Sequence, residues 1–342
     1  MPLWLAALST GWIYLYVFGL FGWFAAQRRF GDRWWWLFLL NTIAAYLFLP
    51  LPLALLGALA LGRGDTWLLS GAALALGAHL YGELFVPRPR QAHAGGRALT
   101  VMTFNLLGFH ADTAATIAAL RRSQADVIAL QELNGQVAEA IERDLGDRYP
   151  YQVLQPQQGA SGMGTISRYP LRRTGETLPG RWIGPPQILE LDFGGTPVTL
   201  INVHTISIVL DSEGLQADIE RSAREREREA GQIAGFAAEN RGPLIVLGDF
   251  NTGELSAAYR ALTARLRDSW RERGSGLGHT FPGGDTPENG RPSVAGIAVP
   301  MWLARIDYVF HSDDWSTAAA RIGEWDGRSD HRPVVVELTL AR

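Results

Sequence analysis

Asp249 and Asn251 sit two residues apart in Gly248-Asp249-Phe250-Asn251, where the apolar run 244–247 ends. On an extended strand end that spacing projects both side chains to one side. The carboxylate can orient or deprotonate a water, and the amide can hold an anionic oxygen. Glu132 follows the apolar run 127–130 directly. A carboxylate there is costly unless it is paired with an arginine or bound to a cation. Asn105 ends the run 100–104 and could add an amide oxygen to such a cation's shell. His204 ends the run 200–203 and is placed to protonate a leaving oxygen. Asp330 and His331 lie near the C-terminus, with Asp307 upstream, and suggest a carboxylate–imidazole pair that fixes one ring tautomer. Hard oxygen donors, imidazoles and amides together suit a divalent cation and a phosphate ester.

These residues need elements that end together. Four of the patches close β-branched, apolar runs, the pattern of strands whose ends share one sheet edge. Asp112 can cap a helix through Leu120, and Val137, Ala138 and Ile141 mark another helical face. Residues 189–193 and 198–203 flank Gly194-Gly195 as a hairpin. Residues 212–240 contain a long helix rich in Ala, Glu and Arg, whose charges are expected to face solvent. Residues 256–266 form a further helix, and 306–310 and 333–340 are closing strands. Hairpins mixed with helices exclude an all-parallel sheet and predict an α/β sandwich of mixed sheets.

Residues 3–26, 34–61 and 66–86 are apolar runs on the scale of a bilayer span. Pro50 and Pro52 break the second, which is one kinked span or an interfacial stretch followed by a span. A cleaved signal ending at Phe24-Ala25-Ala26 fits poorly, because the first residues lack positive charge and two more runs follow. Asn41, His79 and Glu83, polar groups in or near these runs, are expected to serve packing. The chain therefore divides into a membrane region of about three transmembrane helices (1–86), a Pro- and Gly-containing linker (87–97) and a catalytic domain (98–342). Arginines in 27–33 and 87–97 outnumber the one in 63–65, which favours a cytoplasmic domain by the positive-inside bias. The domain faces the other side if 34–61 crosses differently.

Every basic residue other than histidine is arginine, and cysteine is absent, which excludes disulfides, thiolate zinc sites and cysteine nucleophiles. Residues 1–97 carry +4, which leaves −7 to residues 98–342 within an overall −3. An acidic domain without a basic track argues against tight binding of duplex nucleic acid.

Residues 98–342 resemble the endonuclease/exonuclease/phosphatase superfamily, the group of pancreatic deoxyribonuclease and exonuclease III. The matching pieces are Thr103-Phe-Asn105, Leu130-Gln-Glu132, Ser167-Arg-Tyr-Pro170, Asn202-Val-His204, Gly248-Asp-Phe-Asn251, Arg305-Ile-Asp307 and Ser329-Asp-His331, in family order. The resemblance implies a four-layer sandwich of two mixed sheets with magnesium or manganese at one end. It implies that Glu132 ligates the metal with Asn105 and Asp330 nearby, and that Asp249 aligns or deprotonates water. Asn251 then holds phosphate, Asp307 orients His331, as base or as transition-state stabiliser, and His204 meets phosphate or leaving group. The expectation is a membrane-anchored, metal-dependent phosphodiesterase or phosphomonoesterase acting on a lipid headgroup, a small molecule or a nucleic acid. A nuclease is the alternative. A non-catalytic binding protein on the same scaffold would have lost ligands that are all present here. No protein partner is inferred, and the apolar stretches 206–210 and 297–303 are expected to pack as core or loop, with lipid contact as the alternative.

Overall fold

The computed structural model describes residues 2–86, 96–109, 112–208, 214–284, 291–294 and 296–341. Three of its segments are long and apolar enough to cross a membrane: Leu3–Phe30, Ala44–Leu61 and Gly64–Phe85. α1 (Leu3–Phe30) is followed by α2 (Trp35–Thr42) and a 3-10 turn, Ala44–Phe48. Pro50 and Pro52 then start α3 (Leu51–Leu61), where a missing N–H costs nothing in the first turn. α4 (Gly64–Tyr81) continues into a second 3-10 turn, Gly82–Phe85. The second apolar run is thus split at Ile43, and its first part, α2, lies against the sandwich. Asn41 does serve packing: it accepts from Trp23 Nε1 at 3.0 Å and donates to the Gly31 carbonyl at 3.1 Å.

The sandwich opens with β1 (Arg97–Asn105), α5 (Thr113–Arg122), β2 (Val127–Gln131) and α6 (Gly135–Leu145). β3 (Tyr151–Gln155), β4 (Met163–Ser167), β5 (Leu171–Arg173), β6 (Gly184–Phe193) and β7 (Thr196–His204) follow. Next come α7 (Leu215–Glu239), β8 (Leu244–Asp249), α8 (Ala257–Thr263), β9 (Arg267–Asp268) and α9 (Ser269–Arg273). The chain closes with β10 (Ser293–Val294), β11 (Ile297–Ala298), β12 (Asp307–His311), β13 (Trp315–Ile322) and β14 (Val334–Leu340). Residues 87–95 of the expected linker lie outside the described residues, and β1 starts on its last residue.

Two six-stranded mixed sheets result, ordered β13-β14-β1-β2-β4-β3 and β5-β6-β7-β8-β12-β9. Each has one parallel pair, β1/β2 and β7/β8, bridged by α5 and by α7. Parallel strands need such crossovers, and the crossovers bring all four C-terminal strand ends to one edge. Alternate residues fill different layers: Leu99, Val101, Val127, Ile245 and Val309 pack between the sheets. Met102, Phe104 and Ile128 pack under α5 and α6, and Val203, Val246 and Phe310 under α7 and α8. Each such side chain contributes roughly 1.5–3 kcal/mol when fully buried. Gly194 and Gly195, both with positive φ, make the tight hairpin between β6 and β7.

The N-terminal helical region is docked onto this sandwich. Leu84 sits in the central core with Leu99, Trp270 and Trp315. Gln27 Nε2 donates to the Leu255 carbonyl at 3.0 Å, and Asp32 Oδ1 accepts from Ala257 N at 2.9 Å. Glu83 is paired with Arg271 at 3.0 Å. The sandwich is thus rooted in the ends of α1 and α4.

Candidate active site

Strand register assembles the site. Asn105 is level with Gln131 across β1/β2, His204 with Asp249 across β7/β8, and Asp249 with Asp307 across β8/β12. Gly248 makes the close approach possible: a Cβ there would lie 2.0 Å from the Val203 carbonyl oxygen, and its φ is 151°. Glu132 and Asn251, immediately beyond their strands, adopt φ of 56° and 48°. Non-glycine residues enter that region at an energetic cost, and such strain collects at functional sites.

Asn105 Nδ2 bridges two carboxylates, donating to Glu132 Oε1 and Asp249 Oδ2 at 3.0 Å each. Its amide oxygen accepts from Leu107 N at 3.0 Å, so the nitrogen, not the oxygen, faces the acidic cluster. Glu132 Oε2 accepts from Gly108 N at 3.1 Å, and no arginine pairs with Glu132 among the described residues. Asp249 Oδ1 accepts from Asn251 N at 2.9 Å, and Asn251 Nδ2 donates to the Thr205 carbonyl at 2.9 Å. His204 Nδ1 is 3.1 Å from the Ala160 carbonyl, which puts the proton on that nitrogen. Nε2 then faces Asp249 Oδ2 at 3.5 Å and Glu132 Oε1 at 3.9 Å.

His331 completes the group. Its Nδ1 donates to Asp307 Oδ2 at 2.9 Å, and its Nε2 is 3.7 Å from Asp249 Oδ2 and 3.9 Å from Asp330 Oδ1. Burial opposes the charge on this imidazole, but Asp307, Asp249 and Asp330 hold its pKa well above the usual histidine value. Burial pushes the Asp249 carboxyl up, with Asp307 adding to the push and the two imidazoles opposing it. Burial likewise raises Asp330, helped by Glu132. All eight residues expected from the sequence therefore meet at one edge.

Other residues near the site, several of them within the matching pieces, make hydrogen bonds that hold its elements together. Ser329 Oγ donates to the Asn105 carbonyl at 2.6 Å and accepts from His331 N at 2.9 Å, tying the last motif to β1. Thr280 Oγ1 accepts from Ile306 N at 3.2 Å just before Asp307. Gln131 and Asn202 are buried between the sheets, joined by Gln131 Nε2 donating to Asn202 Oδ1 at 2.7 Å. Neither reaches the acidic cluster by a hydrogen bond recorded among the described residues.

The donor set suits a divalent cation. Asp249, Asp307 and His331 offer ligand atoms within 4.8 Å of one another, but the Asp307–His331 hydrogen bond already engages two of them. Asp307 Oδ1 is buried without a hydrogen-bond partner, and the carboxylates of Glu132, Asp249 and Asp330 converge around the two imidazoles. Clustered carboxylate oxygens without thiolate fit a hard cation such as magnesium or manganese.

The fold is similar to an endonuclease/exonuclease/phosphatase family protein from Bacteroides thetaiotaomicron (17% identity, TM-score 0.51, covering 73% of this chain and 100% of that one). It is also similar to an endonuclease/exonuclease/phosphatase from Beutenbergia cavernae (23% identity, TM-score 0.50, 72% of each chain). A third similar structure is D. rerio TDP2 complexed with single-strand DNA product (18% identity, TM-score 0.52, 70% of this chain and 98% of that one). No curated protein matches the sequence. The family model described as Endonuclease/Exonuclease/phosphatase family matches residues 102–331, about two thirds of the chain. The chain belongs to that family and is an enzyme that hydrolyses phosphoric esters.

Proposed function

We propose that the protein is a membrane-anchored, divalent-metal-dependent phosphoesterase that cleaves its substrate by in-line attack of water. The convergence of Glu132, Asp249, His204 and the Asp307–His331 pair on one strained edge carries this reading. Glu132 and Asp330, with Asn105 beside them, would hold Mg2+ or Mn2+, which when bound neutralises charge on the phosphoryl oxygens. Asn105 holds Glu132 and Asp249 in register through its two donated hydrogen bonds. Asp249, buried and raised in basicity, takes the proton of the attacking water as the water oxygen bonds to phosphorus. Asn251 anchors its amide on Thr205, and the amide's second N–H meets a phosphoryl oxygen. As the P–O bond breaks, its electron pair stays on the leaving oxygen, which faces His204 Nε2 and takes its proton from solvent water while Asp249 holds the one drawn from the attacking water. His331 is held by Asp307 with Nε2 toward the reacting centre. The −7 charge of residues 98–342 favours this reading over a nuclease that tracks a polyanion.

The test is hydrolysis of bis(p-nitrophenyl) phosphate by the full-length protein in detergent with magnesium. Turnover is expected to stop with EDTA and to fall about 100- to 10,000-fold in Asp249→Ala. Undiminished turnover in that variant overturns the assignment.

A further inference from the structure

Between the sandwich and the N-terminal helices lies a cavity of ≈ 640 Å3 with a predominantly apolar lining. Small-molecule sites occupy roughly 300–1,000 Å3. One wall belongs to the second apolar run: Phe38 of α2, and Ala44 and Ala45 of the turn after it. The facing wall includes Leu277, Asn251 and Phe281. The Phe281 ring centroid is 5.0 Å from that of His331, so the cavity reaches from the membrane region to the reacting centre. Glu254 and Arg305 also line it, but their charges are spent: Arg305 donates to Glu254 Oε1 at 2.8 and 2.5 Å and to Asp268 at 3.1 and 2.6 Å. Hydrocarbon can therefore sit against them without leaving either charge bare.

The lip of the cavity is apolar too. Pro292 and Ser293 lead from its lining into the β10–β11 hairpin, where Ile297 is 75% exposed. Met301, a few residues on, is also exposed. Residues 297–303 are thus not all packed inside the protein, against expectation, whereas Ile206 and Ile208 are half-buried and residues 209–210 lie outside the described residues. An aliphatic lip on a domain rooted in membrane helices is favourable where it meets lipid.

We infer that the cavity seats the hydrocarbon tail of a lipid phosphoester taken from the bilayer, with its phosphate at the Asp249–His331 edge. The inference rests on the phosphoesterase reading above and names its substrate class. Tethering beside the bilayer raises the effective concentration of such a substrate. A soluble or polymeric polyanion would gain nothing from a wall made of Phe38, Ala44 and Ala45.

The full-length protein, reconstituted in nanodiscs and freed of metal with EDTA, is to be photolysed with a phosphatidylglycerol bearing a diazirine at its acyl end. Cross-links are expected on residues 277–281 of the sandwich as well as on 38–45, and Ala45→Trp, which fills the cavity, should reduce the former at least fivefold. Labelling confined to α1, α3 and α4 would overturn the inference, and the unsubstituted protein decides this even if the variant misfolds. With magnesium restored, Ala45→Trp should lower the ratio of long-chain to dihexanoyl phosphatidylglycerol turnover at least tenfold; an unchanged ratio counts against a tail site. Failure to hydrolyse bis(p-nitrophenyl) phosphate would instead sink the phosphoesterase reading, because the cross-linking needs no turnover.

Discussion

Each catalytic group proposed here is positioned by a neighbour that does no chemistry. Asp307 fixes the His331 tautomer, the Ala160 carbonyl fixes that of His204, and Asn105 spaces Glu132 from Asp249. Asp307→Asn would leave the ring in place but could donate to Nδ1, so that the neutral ring carries its proton on Nε2, the nitrogen facing the site, and the imidazolium loses its carboxylate partner. The expected outcome is a kcat lowered about 100-fold or more with KM little changed, read by steady-state kinetics. An unchanged kcat would remove Asp307 as the orienting group. Asn105, Glu132, His204 and Asp249 were legible in the sequence because each closes an apolar run with a group that is costly to bury alone, whereas Asp330 and His331 stood out as an adjacent carboxylate and imidazole. Gln131 and Asn202 sit in the same kind of position, yet serve a buried seam between sheets. Strand-end amides of the two kinds look alike until the partner strand is known. Ser329 belongs to a matching piece, but its bond to the Asn105 carbonyl, like that of Thr280 to Ile306 N, depends on partners that only the fold brings near.

The strands carrying the site were readable from their β-branched runs, and both mixed sheets follow the expected architecture. β13 was not: Trp315–Ile322 contains Ala318-Ala319-Ala320, poor strand formers, and becomes a strand through pairing with β14, with a register shift between Thr317 and Ala319. α7 differed in another way. Its charges were expected to face solvent, but Arg226 and Glu229 are buried, because α2 lies over that face and Phe38 sits 5.5 Å from the Arg226 guanidinium. Both side chains hold the backbone just beyond His204: Glu229 Oε2 accepts from Ile206 N at 3.0 Å, and Arg226 donates to the Ile206 carbonyl at 3.3 Å. Burial raises the Glu229 pKa from 4.5 to about 8. Folding therefore keeps a proton that the unfolded chain releases above its own pKa. The resulting stabilisation is fully present below pH 4.5 and is lost as pH rises through about 8. Glu229→Gln cannot ionise and should flatten that decline, which is on the order of a few kcal/mol over the interval. Thermal melts of both proteins between pH 5 and 8 check this. Parallel melting profiles would show that Glu229 ionises normally in the fold.

At the scale of the molecule, the N-terminal helices and the sandwich share one interior. Leu84 completes the central core, and Arg271 joins Glu83, the Leu80 carbonyl and Glu254 next to Arg305, two residues before Asp307. Composition distinguishes an apolar first region from an acidic second one, but no local pattern could reveal a contact between residues nearly 200 positions apart. The docking also relates the arginines to one another. Gln27, Asp32 and Leu84 meet the sandwich, so Arg28, Arg29 and Arg33 lie at the domain's end of the bundle. Arg63 lies in the turn between α3 and α4, and Tyr14 near the middle of α1 bonds to Asp65 there at 2.8 Å. Were Leu3–Phe30, Ala44–Leu61 and Gly64–Phe85 each to cross a bilayer, Arg63 would lie opposite the domain, and we propose the cytoplasm for the catalytic edge from the excess of arginine on the domain's side. The absence of native cysteine makes this directly measurable. In intact cells an impermeant maleimide should label Arg63→Cys and spare Arg29→Cys until the membrane is permeabilised. The opposite pattern would put the active site outside the cell, where its substrate would have to come from the outer leaflet.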